Sequence, residues 1–233
     1  MIEKKNKIVV GHQPQYFPYL GTYNKILQSE KFMVLDNVNF KRTAWQARTI
    51  IKDRNDNVIP LIIPCKKSSA TTKIKDIKVS DHRWKKKHLN IIKNVFKNTK
   101  YFDEIFEVIT LILSQKSEFV SDYSIPSIKI FLEKLGYSKD MIFIQSKEEE
   151  IEGKKNDFLI NLTKKLGGNE YLSGQGAKDY IDENIFYEKN ISHRFNNFEH
   201  PQYLQFGKSF IYKLSIIDAA FNIGFEGLKK IIK

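Results

Sequence analysis

The chain has 233 residues, 41% hydrophobic and 28% charged, a balance that supports a sizeable core and excludes a disordered or fibrous polypeptide. Its formal net charge is +12, which suits an anionic partner such as RNA, a phosphorylated small molecule or an acidic membrane surface, and equally a solvated lysine coat. No apolar run approaches the ~20 residues of a membrane span, no secretory core follows the basic Met1–Lys7, and the lone Cys65 excludes an intramolecular disulfide, so a cytoplasmic chain is expected.

The first predicted unit is strand, loop, helix, strand. Residues 7–10 form a short apolar, β-branched run that breaks at Gly11, and Pro14 and Pro18 keep the following segment out of a helix. Leu20, Tyr23, Ile26 and Leu27 then recur at helical spacing, and 32–35 reads as a second buried strand ending at Asp36. This βαβ pattern predicts a parallel sheet.

Residues 38–80 have a different texture. The turn cluster Asp53–Asn57 separates Thr49-Ile50-Ile51 from the run Val58–Cys65 and predicts a hairpin, and Ile74, Ile77 and Val79 mark another short strand. The reading is an antiparallel, β-rich insertion on the edge of the main sheet, with Cys65 a buried structural thiol. Residues 81–136 read as helical: one helix capped by Asp81 and carrying Trp84, His88, Ile91, Ile92 and Val95, a second over 102–113, and a third over 124–135 stopped by Gly136. Alternation then returns, with strands at 141–144, 170–172 and 191–195 and helices at 157–166 and 215–221. The whole is expected to be one α/β domain with an open, mainly parallel sheet flanked by helices.

In open α/β sheets ligands bind beyond the carboxyl ends of the strands. Three loops here follow strands: 12–20, Asp36-Asn37, and 173–179. His12, directly after the first strand, suits a general base or a proton donor near neutral pH, or simply a strand cap. Gln13, Gln15 and Tyr16 add hydrogen-bonding groups beside it. Asp36 suits orienting His12, polarising an amine or hydroxyl, or holding Mg²⁺, and equally a strand-end turn. Ser173-Gly174-Gln175-Gly176 lets backbone N–H groups approach a phosphate ahead of a predicted helix, with Lys178 and Asp179 at its start. It matches neither a Walker loop nor a dinucleotide fingerprint, and the Gly-x-Ser-x-Gly frame of a hydrolase elbow is missing. Trp45, Arg48 and the run Arg83–His88 place cations beside aromatics, and Arg48 suits a bidentate grip on phosphate. His200 and Asp218 complete the candidates. The five histidines are scattered, so no metal ligand cluster is predicted.

The segment His12-Gln13-Pro14-Gln15-Tyr16-Phe17-Pro18-Tyr19-Leu20-Gly21, with 34–40 and Trp45-Gln46-Ala47-Arg48, closely resembles the WbqC-like family. The likeness continues through Trp84–His88, Tyr171–Tyr180, Phe198–Pro201 and Leu214–Asp218. The resemblance implies a transferase that attaches an acyl or aminoacyl group, notably glycine, to the amine of a dTDP-linked amino-dideoxyhexose in O-antigen or lipopolysaccharide biosynthesis. On this reading His12, Asp36 and His200 are the candidate catalytic residues. The substrate would be held by Gln13, Gln15, Tyr16, Asn37, Trp45, Arg48, His88, Ser173, Gly174, Gln175, Gly176, Lys178 and Asp179. The acyl donor is open between an aminoacyl-tRNA, another acyl donor and an acid activated by ATP, and the oligomeric state is open too. The opening strand, His12 loop and helix are also similar to the start of a nucleotidyltransferase-type fold, with Thr22 where a second histidine is expected. That similarity implies nucleotidyl or adenylate chemistry as an alternative. A basic RNA-binding or assembly protein is the third reading.

Overall fold

A computed structural model describes residues 6–232. In chain order the elements are β1 (Ile8–His12), α1 (Leu20–Leu27), β2 (Lys31–Val34), β3 (Arg48–Lys52), β4 (Val58–Ile62), α2 (Arg83–Phe96), α3 (Phe102–Ser114), α4 (Ser121–Lys134), β5 (Ile142–Ile144), α5 (Asn156–Lys165), β6 (Glu170–Ser173), α6 (Glu183–Glu188), β7 (Ser192–Phe195) and α7 (Ile216–Ile231). Five strands form a parallel sheet in the order β5-β2-β1-β6-β7. The chain winds outwards from β1 through β2 to β5 on one side, then returns to β6 and winds to β7 on the other. The strand order therefore reverses between β1 and β6, which opens a crevice at their carboxyl ends.

Adjacent residues of β1 face opposite layers, as a strand of period two requires. Val10 packs in the large cluster with α1 and the helical middle of the chain. Val9 packs in a smaller cluster with Leu159, Ile160 and Leu162 of α5 and Phe186 of α6. In α1, every residue from Leu20 to Ile26 is buried, although only Leu20, Tyr23 and Ile26 of the seven carry hydrophobic side chains. The sheet covers one side of this helix and α4 and α7 help to cover the other, through Phe131 and Ile217 among others.

The βαβ unit and the parallel sheet stand as the sequence predicts. The hairpin also forms, with Ile50 opposite Pro60, but its position differs: β3 and β4 make a separate two-stranded sheet. The edges of the main sheet are β5 and β7, so the hairpin does not extend them. Its buried residues Ile51 and Leu61 join the large core, and Ser215 N–H donates to the Ile50 carbonyl at 2.9 Å, fixing it to the start of α7. The strand expected over 74–79 is a 3-10 turn at Ile74–Asp76 followed by single bridges. The backbone partners of this segment explain the difference. Ile74 and Lys75 N–H donate to the Val38 and Asp36 carbonyls, whereas Val79 N–H donates to Glu118, so no one neighbouring strand runs alongside.

The helix cap is shifted by one residue. Asp81 Oδ1 accepts Arg83 N–H at 2.8 Å, but the residue preceding α2 is His82. The last helix runs well beyond Phe221, bending at Gly224, whose φ of 68° is left-handed; a Cβ there would lie 2.7 Å from the Tyr101 ring. The helix predicted to start at Lys178 and Asp179 after the late glycine loop begins instead at Glu183, as the short α6. Cys65 is half-buried, and burial pushes its thiol up to about 11, as befits a structural cysteine. No helix among the described residues is long and apolar enough to cross a membrane.

On α2, Trp84, His88, Ile92 and Phe96 recur every fourth residue and are buried, whereas Lys86 and Lys87 face solvent. His88 Nδ1 lies 3.1 Å from the Tyr16 hydroxyl, and burial lowers its pKa to about 4, with the Ile62 carbonyl pulling the other way. A folded pKa below the unfolded value of 6.5 means that the stability is intact above pH 6.5 and lost as pH falls towards 4. Asp218, raised to about 6 by burial, acts in the opposite sense, its cost growing as pH rises from about 4 to 6. Thermal or urea denaturation of His88→Asn against the parent isolates the histidine. The parent should lose about 3 kcal/mol more than the variant between pH 6.5 and 4. Parallel pH profiles would show that His88 carries no such linkage.

Candidate active site at the strand ends

The crevice between β1 and β6 contains a cavity of about 290 Å³. His12, Gln13 and Gln15 line it from the first loop, Ser173, Gly174 and Gly176 from the late one. The two loops converge because β1 and β6 are parallel neighbours, with Val9 opposite Tyr171. Gly11 keeps the space open at the strand end, since a Cβ there would lie 3.1 Å from both Leu35 Cδ1 and the Tyr171 hydroxyl.

The floor holds a residue that the sequence reading does not single out. Lys25, on α1, is only 4% exposed and has no carboxylate partner among the described residues. Its Nζ is 3.1 Å from His12 Nδ1 and 3.5 Å from the Gly11 carbonyl, and a Cβ on Gly174 would sit 3.7 Å from it. Burial lowers its pKa to about 8, so the ammonium still predominates at neutral pH.

That ammonium decides the state of His12. A lysine ammonium only donates, so Nδ1 must accept and the ring proton resides on Nε2. Burial first, and the Lys25 charge second, hold His12 well below the ordinary imidazole range, with the Gln15 side chain acting in the opposite direction. His12 Nε2 is enclosed and makes no hydrogen bond among the described residues. A neutral imidazole with a free N–H is a hydrogen-bond donor, and the same nitrogen is not a base while it carries that proton. The geometry thus gives His12 neither of the proton-transfer roles expected from the sequence, base or proton donor, but that of a neutral hydrogen-bond donor.

A second cavity, of about 220 Å³, adjoins the first through Gln15. Trp45, Arg48, Tyr19 and Lys213 line it. The Arg48 guanidinium lies 4.7 Å from the Trp45 ring centre, and its buried Nε has no hydrogen-bond partner among the described residues. A cation over an aromatic face, with a donor left free, suits phosphate or a planar base. Tyr16 contributes to the wall, but its hydroxyl points away to His88.

Several other predicted site residues lie elsewhere. Both Asp36 oxygens are occupied by Ser146, at 2.9 Å from its N–H and 2.5 Å from its hydroxyl, and the residue is absent from both cavity walls. Asn37 is exposed, its N–H donating to Gln145. His200 Nδ1–H donates to the Pro201 carbonyl at 2.9 Å and its Nε2 accepts Lys213 N–H at 3.3 Å, so both ring nitrogens are engaged. It stacks on Tyr19 at 6.5 Å and thus backs the second cavity. His88 is buried behind Tyr16. Gln175 is tied to Asn196 and Asn197, and Lys178 and Asp179 are exposed. The late loop itself closes in a single 3-10 turn, Gln175–Ala177, so no α-helix N-terminus faces the cavity from Lys178 and Asp179. Gln13 is anchored by Gln46, whose amide donates at 2.7 Å. Nitrogen-15 spectra of histidine-labelled protein test the tautomer: at pH 7 His12 should be neutral with its proton on Nε2, and an Nδ1–H signal would exclude the donor role.

A model of the WbqC-like protein family matches residues 13–230. The chain is 25% identical over 217 residues to a Mycobacterium tuberculosis protein, the uncharacterized protein Rv1507c, an alignment spanning 92% of this chain and 93% of that one. No solved structure matches the chain. With nearly its whole length matched by the family model, the chain belongs to the WbqC-like protein family.

Proposed function

We propose that the chain is an N-acyl or aminoacyl transferase acting on the amine of a nucleotide-linked amino-dideoxy sugar, in the cytoplasmic assembly of a surface polysaccharide. The observation that carries this reading is the pair of adjoining cavities that share Gln15. One offers the His12 Nε2–H and the Lys25 ammonium to an acyl oxygen that becomes negative as an amine attacks. The other offers Arg48 over Trp45 to the nucleotide's phosphates and base. The acyl group is small, such as glycyl, and the donor is an aminoacyl-tRNA or another activated acid. The charge of +12 fits a polyanionic donor as well as a nucleotide.

A nucleotidyl or adenylate-forming reaction is the second reading, and the same Lys25–His12 pair supports it, because two adjacent donors also suit phosphate oxygens.

The test is mass spectrometry of a dTDP-amino-dideoxyhexose incubated with the protein, glycine, ATP and charged tRNA, each omitted in turn. A product heavier by one acyl group is expected, with the indispensable component naming the donor. His12→Ala should lower kcat by about a hundredfold or more. Arg48→Ala should instead raise KM for the nucleotide sugar by roughly ten- to a hundredfold. No acylated sugar from any donor would overturn the proposal, and release of pyrophosphate dependent on an amino acid but not on the sugar would favour the second reading.

A further inference from the structure

With His12 acting as a donor, the attacking amine's proton needs another acceptor, and the cavity wall provides one. Ser173 ends β6, and its Oγ is 2.8 Å from His193 Nε2. His193 Nδ1 is 2.9 Å from Glu183 Oε1, on the first residue of α6. The sheet register produces this line. Tyr171 pairs with His193 across the parallel β6–β7 ladder, and Ser173, two residues on, shares their face. Phe186 at 4.8 Å and Phe195 at 4.7 Å hold the imidazole in place.

The donors and acceptors can be assigned. An ionised Glu183 only accepts, so His193 carries its proton on Nδ1 and presents the lone pair of Nε2 to Ser173. Ser173 must then donate, which leaves its oxygen lone pairs free and directs its proton at a base. A serine, a histidine and a carboxylate in this order are the parts of an activated nucleophile. A purely structural link between α6 and the sheet would need neither of two further features. Ser173 lines the same cavity as His12 and Lys25, and the Glu183 side chain is 61% exposed, too open to be a core tie.

We propose that Ser173 is the nucleophile of a covalent acyl-transfer cycle, with His193 as its base and Glu183 as the positioning carboxylate. The acyl donor is an activated ester or thioester of a small acid. Ser173 Oγ bonds to the acyl carbon, and its proton passes to His193 Nε2. The carbon–oxygen or carbon–sulfur bond of the donor breaks, and the proton moves from His193 to the departing alcohol or thiol. In the second half, which rests on the amine-acceptor reading above, the amine nitrogen bonds to the acyl carbon. The carbon–Oγ bond then breaks, and the amine's proton returns through His193 to Ser173. The oxyanion of each half would form in the cavity that His12 and Lys25 also line.

The full chain is mixed with p-nitrophenyl acetate, following nitrophenol release and mapping acetylated peptides. A burst of about one nitrophenol per chain is expected, with acetyl on Ser173. Ser173→Ala should abolish it, and Ser173→Cys should retain a covalent acyl group. Glu183→Gln should slow the burst roughly ten- to a thousandfold without changing the half-saturating ester concentration, and Glu183→Asp should recover part of the loss. Acetyl found only on lysines, a burst surviving in Ser173→Ala, or full transfer to the amino sugar by Ser173→Ala would each overturn the proposal, the last while leaving the transferase reading intact. Conversely, acetyl-Ser173 that never passes to an amino sugar supports the nucleophile and removes the acceptor.

Discussion

The loop that lines the candidate site depends on one strained residue. Phe17 is buried with a φ of 45°, a left-handed conformation that costs a bulky residue on the order of 1–2 kcal/mol. Its backbone is held by three hydroxyls from three separate parts of the fold. Phe17 N–H donates to Ser127 Oγ at 3.0 Å, and its carbonyl accepts Thr49 Oγ1 and Ser215 Oγ, both at 2.9 Å. At about 1 kcal/mol net each, these bonds offset the strain. They also tie α4, the β3–β4 hairpin and the cap of α7 to the segment that follows β1. The hairpin thereby brings Trp45 and Arg48 against Gln15, and Tyr16 N–H donates to the Trp45 carbonyl at 3.0 Å. The second cavity exists because of this anchoring.

Lys25 is the other costly arrangement. A buried ammonium without a carboxylate loses most of its hydration, and a fold selected only for stability has little reason to keep one. Here it has a carbonyl and an imidazole instead, and the imbalance is held within a cavity rather than neutralised. Its position follows from the sheet order. Reversal between β1 and β6 leaves the ends of both strands without a covering connection, so α1 can direct a long side chain up to the crevice from below. The charge then fixes the His12 tautomer, which a nearby carboxylate would have reversed by accepting from Nδ1. The polar character of the His12 side of this site is thus set by a cation that has no carboxylate beside it among the described residues.

The alternation of elements was legible in the sequence because it rests on local periodicity: the β-branched run before Gly11, the helical spacing from Leu20, and the glycines that close helices at Gly136 and Gly167, both at positive φ. The meeting of the 12–20 and 173–179 loops followed from the general rule for strand ends. What stayed hidden depended on long-range placement. Lys25 lies between Asn24 and Ile26 in an amphipathic pattern, and nothing local says that this helix is covered on nearly every side. The hairpin's pairing is written in its turn and alternation, whereas its docking on α7 is not. His193 and Phe195 alternate with Ser192 and Arg194, a hint of a shared face, but the link to Ser173 needs the parallel register of strands twenty residues apart. Asp36 resembles a catalytic strand-end carboxylate in sequence, and only the fold reveals that Ser146 occupies it.

The sizes of the two cavities constrain how a reaction would be divided between them. About 290 Å³ lies at the lower limit of the volumes that enclose small-molecule ligands, so a nucleotide sugar cannot lie wholly beside His12 and Ser173. Only a short acyl group and the reacting end of an acceptor fit there together. The nucleotide of the proposed substrate would then extend outwards, and the Arg48–Trp45 pair is the cationic aromatic platform in the neighbouring cavity that shares Gln15. Gln15, common to both walls, stands where the sugar would cross. In the proposed reaction such a division would separate binding from chemistry: affinity for the nucleotide would reside in side chains outside the reacting cavity, while His12, Lys25 and Ser173 would contact only the groups whose charge changes. In the proposed reaction, recognition of the nucleotide sugar and the acyl chemistry would therefore respond to different substitutions.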